Sequence, residues 1–593
     1  MDCLYYHGGS HDIDSGGAYS PGIWIAGISL DGGSADTGVR GCDGQNRAGY
    51  GPFHLRLSPI PPFSPLSLSF PMPQSLREKV AGLVVARLGS NMIPPRTAEE
   101  DAAAVADLLD RHPIGGLILF NGRWPETRRT LLDLQARSDR GLLVMTDMER
   151  GLGQQVAGAT VFPHLMAFGA LGGGEEAQAA VRDFARMGGV EALACGVHVA
   201  LAPVADVNRN PRNPIISTRA FGTETATVEA LVRAYVEGAH DAGLLTTAKH
   251  FPGHGNTHED SHAVLPAVDD PEEETRAFDL PPFAAAIDAG TDLVMTAHVR
   301  YAGLDPVRPA TRSPRILRGL LRDEMGFEGV VITDSLHMGG IKDDEKTEAQ
   351  LAIELLEAGV DLLLDLEDPE VVIEGVAQAV EDGRLSERVV DDALARAERL
   401  RETLRARFGP GVFRDPALAY PPDVVGHAEH HALAARVARH AVHRVDGRLP
   451  DLGDGAGTLV VLVKPAPKPG EPEWLPLRDA VLRRFPRAQY RELEPFGEEE
   501  DAPFEALLVE AREAERIVVA VIVRPAAWHR FGLAARERRF VQQLLQLKPS
   551  VLAALGSPRG LDGYEGADAR LCLYSDVPAS QDALADVLAE RDV

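Results

Sequence analysis

Short apolar runs alternate with helical patterns between residues 74 and 405, and polar side chains follow the ends of several runs. This alternation predicts parallel strands joined by helices, and seven or eight such units in about 330 residues fit a (β/α)8 barrel of the TIM type. A second series of apolar runs, after residue 446, predicts a smaller α/β sandwich domain. The predicted fold class is therefore α/β, with the barrel preceding the sandwich.

The barrel strands are predicted where short runs of apolar and small residues lie between helical patterns. They are residues 116–120, 142–146, 197–202, 246–248, 292–297, 330–333 and 360–364. Helices are predicted over 175–194, 227–242, 282–289 and 348–358, and helical periodicity also covers 75–88. A doubly wound sheet produces the same alternation, so it stays the alternative fold.

Four segments of different character divide the chain. Residues 1–73 are rich in Gly, Ser and Pro, which predicts a disordered extension or a leader, and we hypothesise that the biological start is Met72. Residues 74–405 are the predicted barrel, and 406–445 are a predicted helical linker. Residues 446–593 are the predicted sandwich, with strands over 458–463, 517–523, 551–555 and 571–574.

Acidic residues outnumber basic ones among the 593 residues, 88 Asp and Glu against 60 Lys and Arg, for a formal net charge of -28. A phosphate backbone requires a basic surface, so no nucleic-acid partner is predicted. No apolar run is long enough to predict a membrane span, and no cofactor motif is present. The four cysteines share no metal or disulfide spacing, which predicts a reducing, cytoplasmic location. The oligomeric state is left open.

Polar residues cluster at the predicted strand ends. Because the carboxyl ends of barrel strands meet at one rim, these side chains are predicted to form a single site. The residues are Asn121, Asp147, Asp206, Lys249, His250, His298 and Asp334.

The stretch 249–266, KHFPGHGNTHEDSHAVLP, is dense in titratable groups. Its four histidines fall at intervals of four, which on a helix would suggest a metal site, but Pro252 and the neighbouring glycines favour a loop. A second alternative is that these are surface histidines that only satisfy hydrogen bonds of the loop. Asp260 precedes His262 by two residues, so its carboxylate can accept the ring N–H and raise the basicity of the other nitrogen. An acid/base pair is the preferred interpretation.

KHFPGHG followed by N-T-x-x-D-S-H-x-x-x-P resembles the signature of family 3 glycoside hydrolases, in the branch of the β-N-acetylhexosaminidases. GVVITDSLHMGGI, at 329–341, is similar to the family's nucleophile region. The resemblance implies that Asp334 is a nucleophile that forms a covalent glycosyl-enzyme, and that His262, oriented by Asp260, is the proton donor. The alternative for Asp334 is a helix cap. Gly339 and Gly340 are predicted to let the backbone approach a sugar.

Sugar recognition is implied by the same resemblance. It assigns hydroxyl contacts to Asp147 in VMTDMERGLGQQ, Arg219 in STRAFGTE, and the adjacent Lys249 and His250. His298 in VMTAHVRY is also assigned to substrate binding, either in contact with the sugar or directly behind a residue that is. Buried ion pairs around a barrel rim are the alternative. The chain departs from the family's D-x-E-G-G-R, because Arg150 replaces a glycine and Leu152 the arginine. Any contact that this arginine makes is therefore absent here or is made by another residue, and the resemblance does not identify the leaving-group sugar.

The function implied is that of a retaining exo-β-N-acetylglucosaminidase acting on peptidoglycan turnover fragments or chitooligosaccharides, with no cofactor and no metal. A histidine donor is neutral after giving up its proton, so phosphate could replace water, and a phosphorylase is the first alternative. The others are a β-glucosidase of the same family, a binding protein that has lost catalysis, and a metal-dependent barrel hydrolase. A group titrating near neutrality is expected in the pH profile.

Overall fold

The computed structural model describes residues 75–342, 345–464, 475–493, 502–525 and 531–590. The predicted extension 1–73 and the hypothesised start at Met72 lie outside the described residues. Those that are described belong to one compact unit. The domain boundaries drawn from the sequence stay predictions.

Eight parallel strands form the first sheet. In chain order they are β1 Val84–Leu88, β2 Gly116–Leu119, β3 Leu143–Thr146, β4 Val199–Ala200, β5 Leu245–Phe251, β6 Leu293–Thr296, β7 Val330–Ile332 and β8 Leu363–Leu364. Each strand pairs with the next along the chain, β8 pairs with β1, and a bridge between Ile332 and Leu362 closes the circle from β7 to β8. The predicted (β/α)8 barrel is confirmed, and the doubly wound alternative is wrong.

Strand β1 corrects the helical prediction over 75–88. A helix covers only Leu76–Ala81, and Gly82 caps its carboxyl end. Val84, Val85 and Leu88 then run through the sheet as buried residues. An apolar run buried on both faces has no alternation of period two, so its pattern is not distinguishable from that of a buried helix.

Helices surround the barrel. They are α1 Leu76–Ala81, α2 Ala98–Arg111, α3 Glu126–Gln135, α4 Leu165–Gly169, α5 Glu175–Cys195, α6 Thr225–Ala242, α7 Leu280–Asp288, α8 Glu348–Ala358, α9 Pro369–Glu381, α10 Glu387–Phe408 and α11 Ala428–His440, with π-helical segments at Thr275–Asp279 and Arg315–Glu324. A capping box begins α8. The Thr347 hydroxyl accepts from the Gln350 N–H, and the Gln350 side chain accepts from the Thr347 N–H. Gly359, with φ 117°, ends the same helix.

The C-terminal domain is a six-stranded sheet covered on both faces. Its strands are β9 His443–Gly447, β10 Thr458–Val463, β11 Gln489–Leu493, β12 Arg516–Val523, β13 Ser550–Gly556 and β14 Ala569–Cys572, and its helices are α12 Leu477–Arg484, α13 Ala502–Glu513, α14 Ala535–Leu547 and α15 Pro578–Glu590. The spatial order is β9-β14-β13-β12-β10-β11, with only β9 antiparallel. Separate apolar clusters lie on the two faces, as the predicted sandwich requires.

Strands β9 and β11 were not predicted. Both are edge strands, and most of their side chains are exposed. A strand that packs little against other elements needs no apolar pattern, so the sequence carries little trace of it. Within the part of the chain that the structure describes, no helix is long and apolar enough to cross a membrane.

Candidate active site

One cavity of about 190 Å³ opens at the carboxyl ends of the barrel strands. Residues following β1, β3, β5, β7 and β8 line it together with a loop after β4. Its polar lining consists of Arg87, Asn91, Asp147, Arg219, Lys249, His250, His254, Ser261, His262, Asp334, Ser335 and Asp365. Six of the eight predicted site residues therefore meet in one place, and Asp260 and His298 stand behind them.

One wall of the cavity is a network of two cations and two carboxylates. Lys249 Nζ lies 2.8 Å from Asp147 Oδ1 and 2.8 Å from Glu149 Oε1. Arg219 donates to the same Glu149 from Nε at 2.9 Å and from Nη2 at 2.8 Å. We call Asp147, Glu149, Arg219 and Lys249 the binding wall. The network joins two residues after β3, one residue of β5 and one residue of the loop after β4.

Opposite charges decide the ionisation of the binding wall. Burial alone would raise the pKa of Glu149, but Arg219 and Lys249 outweigh it and hold that pKa well below its usual range. Burial opposes the charge of Lys249 too, yet Asp147 and Glu149 raise its pKa. Glu149, Lys249 and Arg219 therefore stay charged. Asp147, whose side chain is 29% exposed, is the carboxylate turned towards the cavity.

Asp206 orients the imidazole ring of His250. Its Nδ1 lies 2.7 Å from Asp206 Oδ2, and the fully buried Asp206 also accepts from the backbone N–H groups of His250, at 3.2 Å, and His254, at 2.6 Å. The other ring nitrogen, Nε2, lies 3.4 Å from Arg219 Nη2 and 4.0 Å from Asp334 Oδ2. His250 thus connects the binding wall to Asp334.

Asp334 follows β7 and keeps one oxygen towards the cavity side. Its Oδ1 accepts from the Ser335 N–H at 2.8 Å, whereas Oδ2 faces His250. Burial alone would raise the pKa of Asp334, but the imidazoles of His250, His298 and His262 lower it to about 2. The carboxylate is therefore ionised at any pH at which an enzyme normally works.

Behind Asp334, the Ser335 turn is held from two sides. Ser335 Oγ donates to Asp365 Oδ2 at 2.6 Å, and Arg87 Nε donates to Asp365 Oδ1 at 2.7 Å. His298 lies with Nε2 3.3 Å from the Ser335 carbonyl oxygen and Nδ1 2.8 Å from Thr311 Oγ1. His298 is completely buried and does not line the cavity. Its place is that of a support for the Asp334 turn.

The second histidine site is the loop that we call the donor loop, residues Asp260 to His262. His262 Nδ1 lies 2.7 Å from Asp260 Oδ1, which also accepts from the His262 N–H at 3.0 Å. His262 lines the cavity, and Asp260 stands behind it. The predicted contact between the two side chains is present. Because Nδ1 faces Asp260, the other ring nitrogen, Nε2, is turned away from that carboxylate.

The four histidines of the stretch have different partners. His254 lies 2.9 Å from Thr257 Oγ1 and 2.8 Å from Ser261 Oγ, and His258 lies 3.0 Å from Asn210 Nδ2. Burial and the neighbouring His250 lower the pKa of His254 to about 4. Among the described residues, no group of three or more His, Cys, Asp or Glu side chains is arranged to hold a metal ion.

Gly339 and Gly340 contact the donor loop, and the prediction that they approach a sugar is wrong. The Gly339 N–H donates to the His262 carbonyl at 2.9 Å, and the Gly340 N–H donates to the Ser261 carbonyl at 3.0 Å. A Cβ at position 340 would lie only 2.6 Å from the Ser261 oxygen. Glycine is needed here because two backbones meet, and the meeting joins the Asp334 loop to the donor loop.

Several members of the site escaped the sequence analysis. Glu149 was visible only as part of the motif around Asp147, and Arg87 was hidden in a segment predicted to be helical. Asp365 follows β8 as Asp334 follows β7, which is the signal that would have found it. Asn121 was expected at the rim, but its side chain donates to the Arg96 carbonyl at 3.1 Å and does not line the cavity.

A barrel rim that gathers an ionised aspartate, an Asp/His pair and a wall of charged hydrogen-bonding groups has the composition of a site for glycoside chemistry. Residues 75–400, more than half of the chain, match the family described as "Glycosyl hydrolase family 3 N terminal domain". The chain belongs to glycosyl hydrolase family 3, as its histidine stretch predicts.

Relatives of this chain include proteins named as beta-hexosaminidases and a beta-N-acetylglucosaminidase. "Beta-hexosaminidase A" of Pseudoalteromonas piscicida is 33% identical over 412 residues, which cover 64% of this chain and 66% of the relative, slightly under two thirds. "Beta-hexosaminidase" of Xanthomonas oryzae pv. oryzae is 36% identical over 293 residues, 48% of this chain and 86% of the relative. A solved family 3 beta-N-acetylglucosaminidase from Paenibacillus sp. is 27% identical with a TM-score of 0.75, covering 88% of this chain and 98% of that one.

Proposed function

We propose that the protein is a retaining exo-β-N-acetylglucosaminidase. The observation that carries the proposal is that Asp334 and His262 line the same cavity, with Asp260 bound to His262 on its far side. Relatives named beta-hexosaminidase, and the similar structure of a beta-N-acetylglucosaminidase, support the choice of sugar. The cavity is small, which suits a single terminal sugar ring and therefore exo action.

In the first half of the proposed reaction, Asp334 Oδ2 attacks the anomeric carbon while the bond from that carbon to the glycosidic oxygen breaks. His262 gives its proton to the departing oxygen and becomes neutral. The sugar is then an ester of Asp334. The hydrogen bond from the Ser335 N–H to Oδ1 supports the choice of Oδ2 as the attacking oxygen.

In the second half, neutral His262 takes a proton from water, and the water oxygen attacks the anomeric carbon. The bond to Asp334 breaks with its electron pair, which restores the carboxylate and the protonated histidine. Two displacements at one carbon retain the β configuration. Asp260 stabilises the imidazolium before the first step and after the second, which is the role expected of a carboxylate 2.7 Å from Nδ1.

The binding wall holds the sugar hydroxyls in this proposal. Asp147 accepts from hydroxyl groups, while Lys249, Arg219 and His250 Nε2 border the same space. Each of these groups is already held in position by a buried partner, so little rearrangement is needed when the sugar binds.

Phosphorolysis is the second candidate because the donor loop carries a histidine and not a carboxylic acid. After protonating the leaving group, His262 is neutral and does not repel a phosphate dianion as a carboxylate would. Turnover of peptidoglycan fragments and a cytoplasmic location complete the proposal, and they rest on the sequence alone.

Initial rates on an aryl β-N-acetylglucosaminide and the matched aryl β-glucoside, each with and without inorganic phosphate, test the proposal. The expected result is a strong preference for the acetamido sugar, with β-N-acetylglucosamine as the first product seen by proton NMR. Formation of the sugar 1-phosphate would reassign the enzyme as a phosphorylase. Preference for the glucoside, or no turnover, would contradict the proposal. Chitobiose and muropeptides then compare the natural leaving groups.

A further inference from the structure

We infer that the C-terminal domain positions the substrate-binding Arg219 of the barrel through Ser557. The inference rests on the proposed function, since it assigns to the second domain a share in sugar binding and none in the bond-breaking steps. Its basis is a chain of contacts that leads from the end of β13 to the binding wall.

The barrel end of this chain is a short 3-10 turn, Ser217–Arg219. Ser217 is buried and has a φ of 40°, in the left-handed region that residues with a Cβ seldom adopt. A residue persists in this conformation only where its surroundings hold it there. The position of Arg219, two residues further on, depends on this constraint.

The C-terminal domain supplies contacts that hold the turn. Ser217 Oγ donates to Ser557 Oγ at 3.1 Å, and both side chains are buried. Ser557 directly follows β13, and its N–H donates to the Val523 carbonyl at 2.6 Å, which fixes it against the neighbouring strand. Arg559 Nη1 donates to the Pro211 carbonyl at 3.0 Å. Contacts at 211 and 217 thus hold the loop at two points before Arg219.

A second strand end supports the turn from below. Ser575 Oγ accepts from the His164 N–H at 3.1 Å, and His164 immediately precedes α4. Helix α4 packs closely against the end of the same loop, because a Cβ at Gly169 would lie 1.5 Å from the Phe221 carbonyl oxygen. The loop carrying Arg219 is therefore confined between α4 and the C-terminal domain.

The constraint reaches the guanidinium through the backbone of the turn. The Arg219 N–H donates to the Ile216 carbonyl at 2.8 Å, and Nη1 donates to the Ile215 carbonyl at 3.0 Å. Any movement of the turn moves these carbonyls and with them the bidentate contact to Glu149. Asp334 and the donor loop have no contact with Ser557 in this chain of bonds. Loss of the support is thus expected to weaken sugar binding and to leave the chemical steps nearly intact.

The test uses Ser557→Ala in the full chain, with Ser550→Ala as the matched control. Ser550 is an equally buried serine at the other end of β13, and its hydroxyl bonds within its own domain, to the Leu545 carbonyl. On the aryl β-N-acetylglucosaminide, Ser557→Ala is expected to raise KM about threefold to tenfold with kcat within about twofold, because the Ser557 hydroxyl loses its contacts with Ser217 Oγ and the Arg559 N–H. Ser557→Thr, which keeps the hydroxyl, is expected to restore most of the loss, and Ser550→Ala to leave KM unchanged.

A double-variant cycle shows whether the effect passes through Arg219. In an Arg219→Lys background, Ser557→Ala is expected to add less than twofold to KM, because the group being positioned has already been altered. Fully additive effects would overturn the inference. So would a Ser557→Ala protein whose KM matches wild type.

Amide hydrogen exchange provides a readout that needs no activity. Peptides covering 211–221 are expected to exchange at least several times faster in Ser557→Ala than in Ser550→Ala, while peptides of the donor loop stay unchanged. Exchange that does not differ between the two variants would overturn the inference even if the enzyme is active on N-acetylglucosaminides. Faster exchange in a protein that turns over no such substrate would leave the positioning role standing and contradict only the proposed function.

Discussion

The binding wall and the donor loop face the same cavity but are built in different ways. The wall joins residues from three separate parts of the barrel through charged contacts of 2.8–2.9 Å, and Lys249 is 1% exposed. The donor loop makes its central contact between residues only two positions apart, with side chains 21% and 15% exposed. The side-chain contacts of the wall join residues far apart in the chain, whereas the Asp260–His262 contact is local in sequence.

This difference matches the tasks proposed for the two halves. Recognition of a sugar requires several groups at fixed distances, and a network of paired charges keeps them there. A proton donor must serve a leaving group in one step and water in the next, which a partly exposed ring can do. The four predictions below test this division, and the first removes the residue that both halves serve.

Removing the carboxylate of Asp334 is expected to have the largest effect. Asp334→Ala should lower kcat by about 10⁴-fold or more, because it removes the carboxylate proposed to form the glycosyl ester. Steady-state rates on an activated aryl substrate measure this. Asp365→Asn, which keeps Asp334 but weakens the hold on Ser335, serves as the comparison and should cost far less. A rate of Asp334→Ala within about tenfold of wild type would remove it as the nucleophile.

Disabling the donor loop should have an effect that depends on the leaving group. His262→Ala is expected to lower kcat/KM by about 10²-fold to 10⁴-fold on chitobiose and by much less on a dinitrophenyl glycoside, whose departure needs little protonation. Asp260→Asn should show the same trend more weakly, since the imidazole remains. Equal losses on both substrates would count against His262 as the donor.

Breaking the binding wall should reduce stability, whereas breaking the donor pair should not. Arg219→Met leaves buried Glu149 with Lys249 as its one remaining cation in the wall, and we expect the free energy of unfolding to fall by about 3 kcal/mol. Asp260→Asn should change it by about 1 kcal/mol or less, because that pair is partly exposed. Urea unfolding of both variants makes the comparison. Equal losses would mean that the two halves are held alike.

Acid should destabilise the fold through the buried His254, whose ring lies 2.8 Å from Ser261 Oγ of the donor loop. The folded protein keeps His254 neutral, with its pKa lowered from 6.5 to about 4. An unfolded histidine takes up a proton below about pH 6.5, so the unfolded chain binds more protons between about pH 6.5 and 4, and stability falls as the pH falls through this window. The difference corresponds to at most about 3 kcal/mol.

His254→Gln, which cannot titrate, should flatten the dependence of the unfolding free energy on pH across that window. Urea unfolding at several pH values measures it, and His258→Gln, on the same stretch, is the control. A slope unchanged by His254→Gln would show that the buried ring does not set the acid sensitivity.

The sequence predicted the barrel because strand ends and helices repeat at a regular spacing, and it predicted the donor loop because Asp260 and His262 are neighbours in the chain. It did not predict which carboxylate partners which cation. Glu149 meets Arg219 across 70 residues, and Asp365 meets Arg87 across 278. Which charged groups pair depends on how the strands close into a barrel. No local sequence pattern records a contact between residues so far apart in the chain.

The glycine pair shows a second limit. Gly339 and Gly340 do permit a close approach, as predicted, but the object approached is the donor loop and not a sugar. Glycine reveals that space is short without revealing what fills the other side. Only the fold shows that the backbone facing these glycines is that of the donor loop.

The bonds from Gly339 and Gly340 to the donor loop also restrict how this site can be redesigned. Because the loop after Asp334 and the loop carrying His262 share two backbone hydrogen bonds, neither can change its length without displacing the other. A graft that brings in a longer donor loop to accept a bulkier leaving group would have to bring its matching partner after β7. The two loops therefore have to be exchanged together.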